Sequence, residues 1–387
     1  MDWQTKLVAI PAPPFGEAMR GAWTEKRFVE AGLAEVQSDA IGNVVGILPA
    51  AHLPSESSGP VVVLSAHLDT VFPEGTPINP VVTEANGCLR LEAPGACDNG
   101  AGVAGMLALV HALIESQVEI AAPLVVLANV GEEGEGDLRG VRHFYNQSPL
   151  ANRVAAHVVL DGAGADSAVT QALGSLRFQV TINGPGGHSF TDAGTPNPIA
   201  ALAAILAVLG ETQLPEEPRT TLNLGTVRGG TSVNSIPESA TASIDFRSTS
   251  TEELLRLEVA LHRAVEDAVE HANAVAKALP GRSRGPLSFS ITRIGDRPAA
   301  HLPADSPILE TLRSVDRHLG LRTDLRLGST DANIPIARGI PALSMGAGGD
   351  GGAAHTLAEW YSDKDRELGL RRAMLLTLAI AEWAADQ

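Results

Sequence analysis

Imidazole and carboxylate side chains gather at five short stretches of the 387-residue sequence: SAHLDTV, GACDNGAG, GEEGEGD, VLDGAG and GGAAHTLAEW. In the third, Glu132, Glu133, Glu135 and Asp137 fall within six positions, directly after the apolar VLANV. Carboxylates crowded at the end of a buried strand repel one another and lose hydration. Each needs a cation, a hydrogen-bond donor or water. In SAHLDTV, His67 and Asp69 project to one side of an extended backbone. A metal-bound imidazole usually gives its second N–H to a carboxylate or carbonyl, although a strand-end histidine followed by a capping aspartate fits the same letters. Asp98, flanked by Gly95, Gly100 and Gly102, reads either as the N-cap of the following helix or as a ligand where backbone can approach closely. Cys97 beside it reads as a small buried residue. Asp161 follows HVVL as a strand-tip ligand or a turn former, and His355 ends a glycine-rich loop.

Taken together, His67, Asp98, Glu133, Asp161 and His355 make two imidazoles and three carboxylates. That donor mixture suits zinc, with cobalt or manganese as substitutes. Five ligands are too many for one tetrahedral ion with an open position. They match two ions bridged by one carboxylate, about 3.5–4 Å apart, as in hydrolytic two-metal sites.

Something must bring these stretches together. NVVGILP, PVVVLSAH, PLVVLANV and AAHVVLDG are short continuous apolar runs, the pattern of strands buried on both faces. The run Gly100 to Ser116 has a helical pattern. Alternation of such elements predicts an α/β domain with a mixed sheet in three α/β/α layers. In open sheets of this kind ligands sit beyond the carboxyl ends of the strands, where four of the five stretches fall. From Gly174 the texture changes. Half-exposed strands SLRFQVTING, TTLNLGTVRGG, SATASIDFRS and LSFSITRIG enclose two helices in the order β-α-β-β-α-β. This predicts an inserted ferredoxin-like (βαββαβ) domain. The expected division is 1–173 with 296–387 for the catalytic domain, and 174–295 for a lid.

A chain of this length exceeds most single cores, so two domains are expected on size alone. A net charge of −17 excludes a basic stripe for nucleic acid. No apolar stretch reaches the roughly 20 residues of a membrane span. The sequence opens MDWQTKLVAIPAPP, without a basic segment leading into a long apolar run. With Cys88 and Cys97 as the only cysteines, the expected location is cytoplasmic.

The sequence resembles the zinc-dependent peptidases and deacylases that include aminoacylase, acetylornithine deacetylase, succinyl-diaminopimelate desuccinylase, glutamate carboxypeptidase, peptidase T and carnosinase. The matching pieces are SAHLDTVFP, GACDNGAGVAGML, ANVGEEGEGDLRG, VLDGAG, INGPGGHSFTDAGTPNPI, GGTSVNSIP, IDFRS and AHTLAEW, in the family's order and across almost the whole chain. The resemblance implies two zinc ions per chain. Asp98 bridges them, His67 and Asp161 complete one site, and Glu133 and His355 the other. Glu132 is implied as the general base, and Asp69 as the carboxylate that orients His67. It also implies a cis Asp98–Asn99 peptide. His188 would polarise the scissile carbonyl, supplied across a homodimer formed through the lid. Asn234 and Arg247 would bind substrate carbonyl or carboxylate groups. The ligand at the position of Asp161 is aspartate in many aminopeptidases and dipeptidases and glutamate in most deacylases and carboxypeptidases. The expected substrate is therefore a short peptide, with an N-acyl-amino-acid deacylase or a carboxypeptidase as the alternative. GEEGEGD departs from the peptidase T version, and DNGAG lacks the lysine many members carry after the bridging aspartate. A non-catalytic binding protein on the same fold is the remaining class. Retention of all five ligands and Glu132 argues against it.

Overall fold

The computed structural model describes residues 1–50, 59–279 and 283–387. The chain forms two compact units, Met1–Ala172 with His301–Gln387, and Leu173–Ala300.

The apolar runs become the centre of a mixed sheet in the first unit. In spatial order its strands include Ala34–Ser38, Val44–Leu48, Leu124–Asn129, Val61–His67, Val154–Leu160, Ala342–Met345 and Ser167–Ala172, with Asp324–Gly328 beside the last. The four from Leu124–Asn129 to Ala342–Met345 run parallel. Their neighbours Val44–Leu48 and Ser167–Ala172 pair antiparallel. Strand periodicity divides the side chains between two layers. Val62, Leu64 and Ala66 pack with Val103, Met106 and Val110 of helix Gly100–Glu115 and with Leu376 and Ile380 of helix Arg366–Ala385. Val61, Val63, Val125 and Leu127 meet Val141 and Phe144 of helix Arg139–Gln147 on the opposite face. Each fully buried Val or Leu contributes roughly 1.5–3 kcal/mol relative to exposure. The three-layer α/β/α arrangement follows from this two-sided burial.

A second, four-stranded antiparallel sheet lies outside the sequence expectations. It joins Asp350–Gly352, Trp360–Ser362, Cys88–Glu92 and Val81–Ala85. Val81–Ala85 is exposed along its whole length, and Asp350–Gly352 is mostly glycine, so neither shows a period to read. This sheet turns the glycine-rich GAGGDGGAAH segment into part of an anchored hairpin.

In the second unit the strand order is Thr220–Gly229, Ser239–Ser248, Gly174–Asn183, Ser288–Arg297, antiparallel throughout. Helices Pro198–Gly210 and Thr251–Ala278 cover one face. Phe178, Val180, Ile182 and Phe246 pack there against Ile205, Leu257 and Leu261. Both helices start on side-chain caps. Asn197 accepts from the N–H groups of Ile199 and Ala200, and Ser250 accepts from Glu253. A separate ribbon pairs Gly187–His188 with Ser235–Ile236. Among the described residues no helix is long and apolar enough to cross a membrane.

Candidate metal centre

All five expected ligands come together: His67 ends strand Val61–His67, Glu133 and Asp161 follow Leu124–Asn129 and Val154–Leu160, Asp98 precedes helix Gly100–Glu115, and His355 lies in the hairpin between Asp350–Gly352 and Trp360–Ser362. Asp98 is central. Its Oδ1 lies 3.1 Å from His67 Nε2, and its Oδ2 lies 3.0 Å from His355 Nε2. On the first side, Asp161 Oδ1 is 3.8 Å from His67 Nε2. On the second, Glu133 Oε1 is 3.2 Å from His355 Nε2. Asp98, Asp161 and His67 form one cluster, and Asp98, Glu133 and His355 another, each with ligand atoms within 4.8 Å of one another. Glu132 joins His67 and Glu133 in a third. Buried Asp98 Oδ1 has no aligned hydrogen bond. A buried acceptor without a donor normally costs about 1–3 kcal/mol, so this oxygen, beside His67, fits a divalent cation.

Asp98 does not cap its helix. The cap is Asn99, whose Oδ1 accepts from Gly102 N–H at 3.0 Å and from Gly162 N–H at 3.1 Å. Its Nδ2 donates to Leu160 O at 2.9 Å. One side chain thus joins the helix start to the loop of Asp161, and the Asp98 carboxylate is spared for the site. The Asp98–Asn99 peptide is cis.

Asp69 also differs in detail from the sequence reading. His67 Nδ1 lies 3.1 Å from the Asp69 backbone carbonyl and 3.6 Å from its carboxylate. The carboxylate instead accepts the backbone N–H of Glu132 at 2.9 Å and of Glu133 at 2.8 Å. The carbonyl therefore orients the imidazole, and the carboxylate positions the two glutamates. Arg139 braces the same loop from behind. It donates to both oxygens of buried Glu17 at 2.7 Å and to Ile41 O at 3.0 Å. Gly131 has φ of +63°, and a Cβ there would lie 2.5 Å from the Arg139 side chain, so glycine is required. Glu135 reaches solvent. Asp137 is half-buried with Arg142 at 3.6 Å, because the backbone turns through left-handed Asp137 and Leu138 before the helix begins at Arg139.

Sequence reasoning missed Glu359. It is fully buried and accepts the backbone N–H groups of Gly95, Cys97 and Asp98 at 2.7–2.8 Å. It comes from the hairpin that carries His355, so it ties the two metal-side loops together. The signal was present in AHTLAEW, a charged residue between alanine and tryptophan, but its partners lie more than 250 positions away. Glu359→Ala leaves three main-chain donors unpaired. The expected loss is about 3 kcal/mol or more, read as a lower denaturant midpoint; an unchanged midpoint would remove Glu359 from this role.

The titration behaviour follows from the same packing. Burial opposes a charged His67, yet the carboxylates of Asp161, Asp69 and Asp98 hold its imidazole well above the usual range. Burial would raise Asp98, but the hydrogen bond from His355 and the adjacent His67 imidazole hold it below the carboxylate range. The hydrogen bond to Asp98 lifts His355 to about 9. Burial, with the charge of Asp98, pushes Glu133 up to about 7. In cation-free protein, both raised groups favour the folded chain when protonated. Their contribution is lost as pH rises, between about 4.5 and 7 for Glu133 and between about 6.5 and 9 for His355. A cation displaces those protons. The Tm gain on adding Zn2+ to chelator-treated protein is therefore expected to grow from about pH 6 to about pH 9. A gain that shrinks over this window would contradict the ligand set.

The remaining expected residues lie in the second unit. His188 and Asn234 are exposed on the short ribbon, and Arg247 is half-buried on the central sheet. His188 Nδ1 accepts from the N–H of Phe190 at 3.2 Å and of Thr191 at 3.4 Å. Neutral His188 therefore carries its proton on Nε2, as a donor. Arg247 Nε donates to Asp245 at 2.8 Å.

One carboxylate, Asp98, is thus common to two groups of candidate metal ligands on an α/β scaffold. The chain belongs to Peptidase family M20/M25/M40, whose family model matches residues 63–379. A probable carboxypeptidase of Aspergillus clavatus is 30% identical over 266 residues, 64% of this chain and 57% of that protein. A probable carboxypeptidase of Paracoccidioides lutzii is 30% identical over 226 residues, 54% of this chain and 49% of that protein. The chain spans about half the length of the curated relatives it matches. The fold is shared with the aminopeptidase PepT from Bacillus cereus, at a TM-score of 0.72 and 20% identity over 100% of this chain and 98% of that one. It is shared too with a dinuclear metal-binding peptidase of Bacillus subtilis, at a TM-score of 0.63 and 17% identity over 98% and 97%.

Proposed function

We propose that this chain is a two-cation hydrolase that cleaves amide bonds of short peptides, as an aminopeptidase or dipeptidase. The observation that carries the reading is the division of Asp98, one oxygen toward His67 and the other toward His355. Asp98, His67 and Asp161 would hold one ion, and Asp98, Glu133 and His355 the other. Two zinc ions bound there, or cobalt or manganese in their place, would lower the pKa of water and polarise the scissile carbonyl. Glu132 takes the proton of the attacking water and returns it to the leaving nitrogen. Asp69 keeps the glutamate pair in place through its two main-chain bonds. Supplied across the homodimer to the partner subunit's site, His188 Nε2 would donate to the carbonyl oxygen as negative charge develops, a contribution of about 3 kcal/mol for one such donor. Asn234 and Arg247 would bind substrate carbonyl or carboxylate groups.

The second reading is a carboxypeptidase or N-acyl-amino-acid deacylase. It is favoured by the partial relatives named probable carboxypeptidases. Aspartate at position 161 favours the first. Zinc-reconstituted protein should hydrolyse free dipeptides and tripeptides. Activity confined to N-blocked peptides or N-acetyl amino acids would sink the aminopeptidase and dipeptidase reading. Fewer than about one ion per chain after reconstitution would favour a non-catalytic binding protein. Assembly as a homodimer through the lid is part of the proposal. The edge strand Thr220–Gly229 is exposed over most of its length and can pair across a two-fold axis. Sedimentation reads this directly, with a monomer as the opposing result. Both cysteines are free thiols, in keeping with a reducing, cytoplasmic setting.

A further inference from the structure

The ribbon that carries His188 and Asn234 also carries two large apolar side chains that the fold leaves uncovered. Phe190 is 84% exposed, and Val233 is fully exposed. Gly187 pairs with Ile236 and His188 with Ser235, and the next step is a bond from Ser189 N–H to Asn234 O at 3.0 Å. Phe190 and Val233 each follow at the same end of the ribbon, beside the two polar residues. The ribbon is locally well fixed. Asp192 accepts the His188 N–H at 2.7 Å, and its own N–H bonds back to His188 O at 3.0 Å. Gly187 has φ of +156°, and a Cβ there would come 2.8 Å from the Asp192 carboxylate. Phe190 and Thr191 supply the N–H groups that hold the His188 ring. The position of Phe190 is therefore coupled to the orientation of that ring.

Charge adds a second, independent observation. The chain carries a net charge of −17, yet positions 185–191 and 229–236 contain no Asp, Glu, Lys or Arg. A solvated loop of such a protein has no need to hold phenylalanine and valine in water, where each leaves apolar area unburied. Resting on the function proposed above, we infer that Phe190 and Val233 form an apolar wall that contacts the substrate side chain next to the scissile carbonyl, so that the preferred substrates are short peptides with an uncharged, apolar residue there. Delivery of His188 to the carbonyl brings this wall with it, because ring and wall share one rigid ribbon.

The test uses full-length, zinc-reconstituted protein and two dipeptide series, one varying the side chain at each end, with leucine, phenylalanine, glycine, glutamate and lysine. In the wild type, leucine and phenylalanine should exceed glycine, glutamate and lysine in kcat/KM in at least one series. In Phe190→Ala and in Val233→Ala, the leucine-to-glycine ratio of kcat/KM should fall about tenfold, chiefly through KM. Both sites are exposed, and thermal unfolding should be unchanged. An unchanged ratio overturns the inference. So does an equal fall for all substrates, or a change in sedimentation with the ratio preserved, since the pair would then be a subunit contact. Failure of the underlying function reads differently: the wild type itself would cleave neither series, and the inference would fall with it.

Discussion

Glu132→Gln is expected to lower kcat by about 10²- to 10⁴-fold while leaving two cations bound. The substitution keeps the size of the side chain and removes only its capacity to take a proton. Glu132 is 5% exposed, and its backbone N–H is held by Asp69 Oδ1, so the altered side chain stays in place. The cation count makes the result informative. Glu132 lies within 4.8 Å of ligand atoms of both His67 and Glu133, a cluster that could also hold an ion. Retained cations with lost turnover identify a base. Lost cations would make Glu132 a ligand, and near-normal kcat would remove it from the chemistry. Plasma emission analysis beside steady-state rates separates the three.

Asp98→Ala is expected to abolish turnover and weaken binding of both cations, by more than about 100-fold, since changes even to outer partners cost 10–100-fold. The reason is geometric. Each imidazole loses a contact near 3 Å, because His67 and His355 share this one carboxylate. Asn99 retains the helix cap and its bonds to Gly162 and Leu160, so the fold has no need of the Asp98 side chain. Calorimetric titration with Zn2+ reads the outcome. One site of undiminished affinity would show that Asp98 serves only one ion. The contrast with Glu359→Ala is direct: that change strikes the loop itself, so its first effect is on stability.

Much of the α/β core was legible because its signal is local. Val61–His67, Leu124–Asn129 and Val154–Leu160 are continuous Val, Leu and Ala runs, and two-sided burial demands that composition. Helix Gly100–Glu115 falls where the sequence shows a helical pattern over Gly100 to Ser116. The hairpin Asp350–Gly352 with Trp360–Ser362 was not legible, since three-residue strands rich in glycine owe their existence to pairing with Cys88–Glu92. Asp98 and Asn99 illustrate the limit within one dipeptide. Either residue can cap a helix, and only the approach of Gly162 and Leu160 to Asn99 assigns the roles.

Residue types and their order along the chain therefore carried the donor set. Two histidines and three carboxylates, four of the five at or just after predicted strand ends, pointed to a two-cation site, because few other arrangements compensate so many buried charges. The tertiary structure alone decided which oxygen faces which imidazole, that the Asp69 carboxylate holds the backbone of the glutamates while its carbonyl meets His67, and that Glu359 anchors Asp98 from far along the chain. Apart from the contact of His67 with Asp69, these join residues remote in sequence. Hydrogen bonds and ion pairs depend on interatomic distances, and no local pattern in a chain encodes them.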